Sequence, residues 1–288
     1  MKRSNRNLLL SIIILIVSVS TAHSGVTPVY VFTGEVEFDY LGVSVASAGD
    51  VNNDGFDDMI VGAWKNDAGG SEAGRAYVFS GLNGDTLYVF TGEAAEDWFG
   101  VSVASAGDVN NDGFADLIVG APRNDAGGTD AGRAYVFSGQ TGDTLYVFTG
   151  EDTANFFGGS VSSAGDVNND GYDDLIVGAF RNDAGGNGAG RAYVFSGQSG
   201  DTLFVFTGEA EFDQLGFSVA FAGDVNNDGF DDLIVGADDN DAAGPAAGRA
   251  YVFSGKTGDT LYVFTGEAGD DRFGWSVASA GDVDNDGF

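Results

Sequence analysis

Groups of side-chain oxygen atoms recur along the chain at a constant spacing. Residues 50–58 read Asp-Val-Asn-Asn-Asp-Gly-Phe-Asp-Asp, and this pattern returns at Asp108, Asp166 and Asp224 and begins again at Asp282, 58 residues apart each time. With the first Asp as position 1, side-chain oxygens fall at positions 1, 3, 5 and 9, and position 7 can offer its backbone carbonyl. Hard oxygen donors in this number suit Ca²⁺, whereas Mg²⁺ demands tight octahedral geometry and keeps its waters. The pattern predicts a calcium-binding loop.

The predicted ligands share these five positions in every copy. In the four complete copies they are Asp50, Asn52, Asp54, Phe56 and Asp58; Asp108, Asn110, Asp112, Phe114 and Asp116; Asp166, Asn168, Asp170, Tyr172 and Asp174; and Asp224, Asn226, Asp228, Phe230 and Asp232. In the fifth copy Asp282, Asp284 and Asp286 are present, and position 9 lies beyond the last residue. Crowded aspartates repel one another, so a bound cation is expected to stabilise folding. Polar Asx turns without a metal are the alternative.

An EF-hand loop opens in the same way, and its later positions distinguish it from this pattern. It places a bidentate Glu at position 12 and continues into a helix. Here position 12 is a valine, Val61 in the first copy, inside an apolar strand-like run. The EF-hand interpretation therefore fails. Position 8 is Asp in three complete copies and Ala115 in the other, so we leave this position out of the ligand set.

The loops must be positioned by a repeated structural unit, because self-similarity at a fixed period indicates a repeat architecture. The units lie near 42–99, 100–157, 158–215 and 216–273, with a partial unit at 274–288. In the second unit, strands are predicted over 99–106, 116–121, 133–138 and 144–149. The last two runs alternate aliphatic and aromatic residues, so both sheet faces are expected to be covered. This pattern predicts an all-β fold, a β-propeller of four-stranded antiparallel blades.

The two ends of the repeated region carry parts of a further blade. Residues 30–34 match residues 88–92, so they predict a fourth strand without its first three strands beside it in sequence. Residues 274–288 supply only a first strand and part of an acidic loop. We therefore expect four complete blades plus an incomplete one, and a sequence that is a fragment of a longer propeller.

Residues 1–24 have the pattern of a secretory signal peptide. Basic residues at Lys2, Arg3 and Arg6 precede an apolar run over 8–19 and then small residues. Such a run is too short to span a bilayer, whose apolar core needs about 20 residues. We predict cleavage near residue 24, a mature propeller over 25–288 without a membrane span, and a secreted, extracellular or cell-surface location. An uncleaved anchor is the alternative.

The charge of the chain limits its partners. Its formal net charge is −32, with 44 acidic and 12 basic residues. Nucleic acid and anionic lipid both require basic patches, so neither is an expected partner. The chain also has no cysteine, and without disulfides a bound metal is the expected reinforcement of an exported fold.

The residues around the acidic loops resemble the FG-GAP repeats of integrin α-subunit propellers and of many bacterial exported proteins. The name-giving elements are Phe99-Gly100 and Gly120-Ala121-Pro122, and the resemblance extends from Val29 to the end of the chain. It implies a propeller, usually of seven blades, with Ca²⁺ held at loop positions 1, 3, 5, 7 and 9 on one face. The first and fourth copies have Leu in place of the Phe, and three copies lack the Pro. Nothing resembles integrin leg domains, so no integrin subunit or ligand is implied.

The sequence argues against catalysis by this chain. It has no cysteine, and His23 is its single histidine, so a base for a Ser or Thr nucleophile is lacking. No unit carries an acidic constellation absent from the others, and no catalytic residue is predicted. An arginine recurs before each Ala-Tyr-Val-Phe run, and a structural ion pair with a nearby Asp is favoured over a binding role.

A partner surface is predicted on the face opposite the acidic loops, where the second-to-third and fourth-to-first strand connections differ most between copies. Aromatic and basic side chains on exposed loops are common anchors of recognition. The candidates are Trp64, Lys65, Trp98, Arg123, Phe180 and Arg181. Variation in unconstrained loops is the alternative. The predicted function is adhesion or recognition of an unknown extracellular protein or glycan, the alternative being a non-catalytic accessory propeller of a larger secreted, phospholipase-like hydrolase.

Overall fold

A computed structural model describes residues 13–16 and 29–281 of the chain. Every regular element in these residues is a strand. The strands are β1 Ile13–Ile16, β2 Val29–Phe32, β3 Val45–Gly49, β4 Asp58–Ala63, β5 Arg75–Phe79, β6 Thr86–Thr91, β7 Ser102–Gly107, β8 Asp116–Ala121, β9 Arg133–Phe137, β10 Thr144–Thr149, β11 Ser160–Gly165, β12 Asp174–Ala179, β13 Arg191–Phe195, β14 Thr202–Thr207, β15 Ser218–Gly223, β16 Asp232–Ala237, β17 Arg249–Phe253 and β18 Thr260–Thr265. No helix long and apolar enough to cross a membrane occurs in this part of the chain.

Four antiparallel sheets of four strands each form blades 1 to 4, and the strands are neighbours in sequence order. Blade 1 is β3–β6, blade 2 is β7–β10, blade 3 is β11–β14 and blade 4 is β15–β18. In blade 2, for example, Val119 pairs with Val103 on one side and with Tyr135 on the other. The predicted all-β propeller architecture, with four complete blades, is confirmed.

The predicted strands of the second unit agree closely with blade 2, except at the first strand. That strand begins at Ser102 rather than at residue 99. Phe99 is buried and forms an isolated parallel bridge to Gly74 of the preceding blade, and Gly100 has a φ of 87°. A left-handed φ interrupts extended backbone and favours glycine, so Phe99 is a contact between blades and not the start of a strand.

The expectation that the fourth strand is covered on both faces is wrong. The second strand of blade 2 is buried along its whole length, whereas every position of the fourth strand is exposed or half-buried. Val147, for instance, is 44% exposed. The fourth strand is the last of each sheet and has only one hydrogen-bonded neighbour, so its outward side chains face solvent.

Neighbouring blades pack through stacked phenylalanines. Phe90 of β6 lies 4.0 Å, centroid to centroid, from Phe137 of β9, and the corresponding pair in the next interface, Phe148 and Phe195, is 4.1 Å apart. Removing one such buried ring costs about 3–5 kcal/mol. A Cβ on Gly120 would lie 1.9 Å from the Gly158 carbonyl oxygen, so only glycine allows the second strand this close to the next blade.

The incomplete blade at each end of the repeats docks as a complete one would. Phe32 of β2 stacks on Phe79 at 4.0 Å, as fourth-strand phenylalanines do elsewhere. The Val277 amide donates to Ser218 Oγ at 3.1 Å, the bond that Val161 and Ser102 make between blades 2 and 3. Of the predicted signal peptide, residues 1–24, the structure describes only β1, which pairs antiparallel with β2. Cleavage of the signal peptide stays a prediction.

The recurrent arginines form ion pairs between blades, with Glu and not with the expected Asp. Arg133 Nη1 lies 2.9 Å from Glu93 Oε2, just after the fourth strand of the preceding blade. Arg75, Arg191 and Arg249 make the same pair with Glu35, Glu151 and Glu209. The pairing Glu is exposed in each case, and a solvent-exposed pair contributes at most about 1 kcal/mol. The preference for a structural role over a binding role is nonetheless supported.

Candidate metal sites and the opposite face

Each acidic loop connects the first and second strands of a blade and is held by its own carboxylates. In blade 2, the amides of Asp112 and Gly113 donate to the Asp108 carboxylate at 3.0 and 2.9 Å. The Phe114 amide donates to Asp112 Oδ1 at 3.0 Å. Gly113 has a φ of 88°, and Asn111 has a φ of 55°, a value that asparagine tolerates better than most residues. The same bonds recur in blades 1, 3 and 4.

The position-9 carboxylate is the buried member of the loop. Asp116 is fully buried and accepts hydrogen bonds from the Val109 amide at 3.0 Å and the Gly139 amide at 2.9 Å. Burial, together with the nearby Asp112 and Asp108 carboxylates, raises the pKa of Asp116 to about 7, although the two hydrogen bonds lower it. Burial likewise raises the pKa of Asp174 to about 7. Without a cation, negative charge at position 9 is therefore costly.

The position-3 asparagines supply an observation that points to a ligand. The Oδ1 atoms of Asn110, Asn168 and Asn226 are buried and accept no hydrogen bond. A buried, unsatisfied polar atom costs about 1–3 kcal/mol. In blade 1 the corresponding Asn52 Oδ1 accepts from the Asp54 amide at 2.9 Å. A cation bound in each of these three loops would satisfy the unpaired side-chain carbonyl of that loop.

The donor chemistry of the loops fits Ca²⁺, although the acidic side chains do not converge. Among the described residues, no three acidic or histidine side chains gather as a ready-made metal cluster. The carboxylates at positions 1, 5 and 9 accept backbone N–H bonds, and an all-oxygen set of carboxylate, amide and carbonyl groups is what Ca²⁺ prefers. Ligand assignment in the four loops stays a prediction. Asp282, Asp284 and Asp286 lie outside the described residues.

Position 8, which the sequence reasoning set aside, links the loops of adjacent blades. Asp173 Oδ2 accepts from the Asp108 amide of the preceding loop at 2.7 Å, and Asp231 Oδ2 accepts from the Asp166 amide at 2.9 Å. Ala115 lacks the carboxylate for this bond to the first loop. Variation at position 8 was the available signal, but sequence alone did not show which residue the carboxylate contacts.

The six predicted partner residues lie on the opposite face, in aromatic rows that cross blade boundaries. Ring centroids of Trp64 and Trp98 are 4.6 Å apart. Lys65 Nζ lies 4.7 Å from the centroid of Trp64, and the Arg123 guanidinium lies 4.2 Å from that of Trp98. Stacking of this kind holds a cation in one orientation and contributes about 0.5–1 kcal/mol at exposed sites.

A second aromatic row surrounds Phe180. Its ring centroid lies 5.5 Å from that of Phe156 and 5.4 Å from that of Phe217. The row continues from Phe217 to Trp275, 4.8 Å away. Phe217 and Trp275 were missed in the sequence, where each directly follows the Gly that ends a fourth-to-first connection. The structure therefore places Trp64 and Trp98 in one row and Phe180 in another, and it adds Phe217 and Trp275 to the second row.

Comparison with known proteins agrees with this repeat architecture. The family model described as FG-GAP repeat matches residues 41–79, 99–137, 157–195 and 215–253, more than half of the chain. Integrin alpha-5 of Xenopus laevis is 38% identical over 169 residues, which cover 52% of this chain and 16% of that protein. Integrin alpha-V of Gallus gallus is 31% identical over 215 residues, which cover 69% of this chain and 20% of that protein. Human integrin alpha-IIb is 35% identical over 223 residues, with the same two coverages.

The chain thus corresponds to a fifth or less of the length of these curated relatives. Among solved structures, Saccharomyces cerevisiae Sqt1 matches 73% of this chain and 44% of that chain at 12% identity, with a TM-score of 0.44.

Proposed function

The chain belongs to the FG-GAP repeat family, and from this premise we propose that it is a secreted, calcium-stabilised propeller that recognises an extracellular protein or glycan. The acidic loops hold Ca²⁺ for stability, and the opposite face carries the partner surface. No reaction is assigned to the chain. Similarity to integrin alpha chains supports an adhesion or recognition role.

The observation that carries the calcium proposal is the buried, unpaired Oδ1 of the position-3 asparagines, Asn110 among them. It lies in a loop whose position-9 carboxyl, Asp116, has a pKa raised to about 7 by burial. The residues that would hold the ion are the side chains at positions 1, 3, 5 and 9 and the carbonyl at position 7. Bound Ca²⁺ supplies positive charge that offsets their mutual repulsion.

Recognition is supported by the composition of the opposite face. Trp64 and Trp98 offer half-buried rings in edge-to-face contact, and Lys65 and Arg123 lie over them. Rigid aromatic residues and arginine dominate binding energy at protein interfaces. The loops that present them are anchored on blade strands, so the surface is preorganised.

Calcium uptake by the full chain tests the first half of the proposal. We expect isothermal titration of metal-free protein to show about four Ca²⁺ sites, one for each complete loop, and little heat with Mg²⁺, which keeps its waters. The Asp112→Ala variant should lose one site and leave the others. Uptake of no Ca²⁺ at millimolar concentration would contradict the proposal.

The partner surface is tested with an array of extracellular matrix proteins and glycans, probed with calcium-loaded protein. We expect at least one positive, which a variant with Trp64, Trp98 and Phe180 all changed to Ala no longer binds. Its calcium uptake, unchanged, serves as the folding control. Full binding by the triple variant would place recognition elsewhere on the molecule.

A further inference from the structure

The second-to-third loops of blades 1 and 2 each contain a cation that is neutralised within the same loop. Lys65 Nζ lies 2.9 Å from Glu72 Oε1, and Arg123 Nε lies 3.2 Å from Asp130 Oδ1. In both loops the acid stands seven residues after the cation. The same loop therefore takes a Glu or an Asp carboxylate beside its cation.

Blade 3 has the cation but not the acid. Arg181 corresponds to Lys65 and Arg123, and the residue seven positions later is Gly188. Arg181 is exposed, and it is the one arginine in residues 29–281 without a carboxylate within ion-pair distance. Its charge is thus available to a group from outside the loop.

A cavity of about 180 Å³ opens beside Arg181 where the other loops have their acid. It is lined by Ala154, Arg181, Asp183, Asn187, Gly188, Phe212 and Gln214. The Arg181 guanidinium lies 5.8 and 5.9 Å from the ring centroids of Phe156 and Phe180. An arginine held within cation–π distance of aromatic rings loses less freedom when it pairs with a planar carboxylate.

The backbone of the blade 3 loop has the same arrangement as the loops that already hold a carboxylate. Asp183 Oδ1 accepts from the Gly188 amide at 2.7 Å, as Asp67 Oδ1 accepts from the Glu72 amide at 2.8 Å. In the blade 1 loop, the carboxylates of Asp67 and Glu72 are thus accommodated together beside the single cation Lys65. Asp183 does not prevent a carboxylate from binding at the equivalent place in blade 3.

We propose that this cavity is a carboxylate-binding site that takes an acidic side chain of a polypeptide partner, paired with Arg181. The proposal rests on the recognition role given above and specifies the partner chemistry at one point of that face. A polypeptide is favoured over a sugar acid because the carboxylates that pair with the corresponding cations of blades 1 and 2 belong to a Glu and an Asp side chain. The net charge of −32 repels an acidic partner at long range, so a single carboxylate binds weakly.

Titration of the full, calcium-loaded chain with blocked glutamate, N-acetyl-glutamate amide, tests the site. The ¹⁵Nε–Hε resonance of Arg181, assigned with the Arg181→Gln variant, should shift saturably, while blocked glutamine leaves it in place. Glucuronate is the parallel probe for a sugar acid. An unmoved Arg181 resonance with glutamate overturns the proposal, and a saturable shift with glucuronate alone overturns the assignment to a polypeptide.

The Gly188→Glu variant provides the second arm, because it supplies the carboxylate within the chain. Gly188 has a φ of 61° and Glu72 a φ of 53°, so the loop accommodates a Glu at this conformation. A Cβ on Gly188 would meet Phe212 Cδ1 at 3.5 Å, an ordinary contact. We expect binding of blocked glutamate to fall at least tenfold, a loss of about 1.4 kcal/mol.

The matched control is Ala246→Glu, at the equivalent position of blade 4, where Asp239 replaces the cation. It adds the same charge and should leave binding at Arg181 unchanged. Equal binding by wild type and Gly188→Glu would refute the site. Calcium uptake measured on the same samples separates failure of this site from failure of the calcium proposal.

Discussion

The two faces of the propeller differ in how much their loops vary between blades. On the acidic-loop face, ligand positions 1, 3, 5 and 9 are the same residue types in all four complete loops. On the opposite face, one loop position is Trp64, Pro122, Phe180 and Asp238 in successive blades. Repetition on the first face indicates a shared structural task, and variation on the second leaves room for specificity.

Hydrogen bonding explains the difference. On the acidic-loop face a carboxylate such as Asp116 closes its own loop and also holds the following third-to-fourth strand turn through the Gly139 amide, so its replacement removes two bonds. On the opposite face a substitution can be compensated locally, as where Arg272 Nη1 pairs with the buried Asp238 at 3.0 Å. The first face tolerates little change at positions 1 and 9, because each of these carboxylates, such as Asp108 and Asp116, accepts two backbone hydrogen bonds.

The largest expected difference between the faces is in melting temperature, because removal of calcium should destabilise the acidic-loop face alone. Chelation by EGTA should lower the melting temperature, and added Ca²⁺ should restore it. Each site occupied at 100 times its Kd contributes about 2.7 kcal/mol, and about 2–4 °C accompanies each kcal/mol in a chain of this size. Four sites together contribute about 11 kcal/mol, which predicts a shift on the order of 20–40 °C by calorimetry. Identical melts with and without calcium would show that the acidic loops are polar turns.

The pH dependence of the metal-free protein should reveal the buried carboxyls on the acidic-loop face. The pKa of Asp116 and of Asp174 is about 7 in the folded chain, above the value of about 3.9 in an unfolded one. The folded state then binds more protons, so stability falls as pH rises from about 4 to 7. We expect the melting temperature in EGTA to be higher at pH 5 than at pH 7.5.

Saturating Ca²⁺ should remove or reverse that trend, because the ion binds the deprotonated carboxylates. The variant with Asp116→Asn and Asp174→Asn is the control, since it keeps the shape and loses the titration. Stability of the metal-free wild type that rises with pH over this range would contradict the account of the buried charge.

A smaller effect is expected at the bond between neighbouring acidic loops. Asp173→Ala removes the 2.7 Å bond to the Asp108 amide, and a hydrogen bond to a charged group is worth about 1.5–3 kcal/mol. We expect a loss of that order in calcium-loaded protein, measured by urea denaturation. The reciprocal change Ala115→Asp should add the missing bond to the first loop and stabilise the chain. If Ala115→Asp destabilises it as much as Asp173→Ala does, position 8 is not a link between loops.

The smallest effect on the calcium-dependent shift in melting temperature should come from changes on the opposite face. The variant with Trp64, Trp98 and Phe180 changed to Ala loses half-buried rings in tilted and edge-to-face contacts and melts at a lower temperature. The difference between its calcium-loaded and metal-free melting temperatures should nevertheless equal that of the wild type, because none of the three touches an acidic loop. A reduced calcium shift in this variant would show that the two faces are coupled.

Local pattern alone was enough to predict the strands and the acidic loops. The predicted strand over 116–121 agrees with β8 residue for residue, because β-branched runs between Gly and Asp punctuation recur in every unit. The start of the preceding strand was predicted at Phe99, because Phe is common in strands. In the structure Phe99 instead packs against the previous blade. A side chain's partner in another blade leaves no trace in local periodicity.

By itself, the sequence determined the repeat length, the four-stranded unit, the loop chemistry and the absence of disulfides, since each depends on residue type and spacing. Only the tertiary structure decided which distant residues meet. Asp173 reaches the Asp108 amide, Arg133 pairs with Glu93, and Arg181 lacks the carboxylate that its counterparts have. These contacts depend on how one blade is set against the next, and the packing of whole sheets determines that placement.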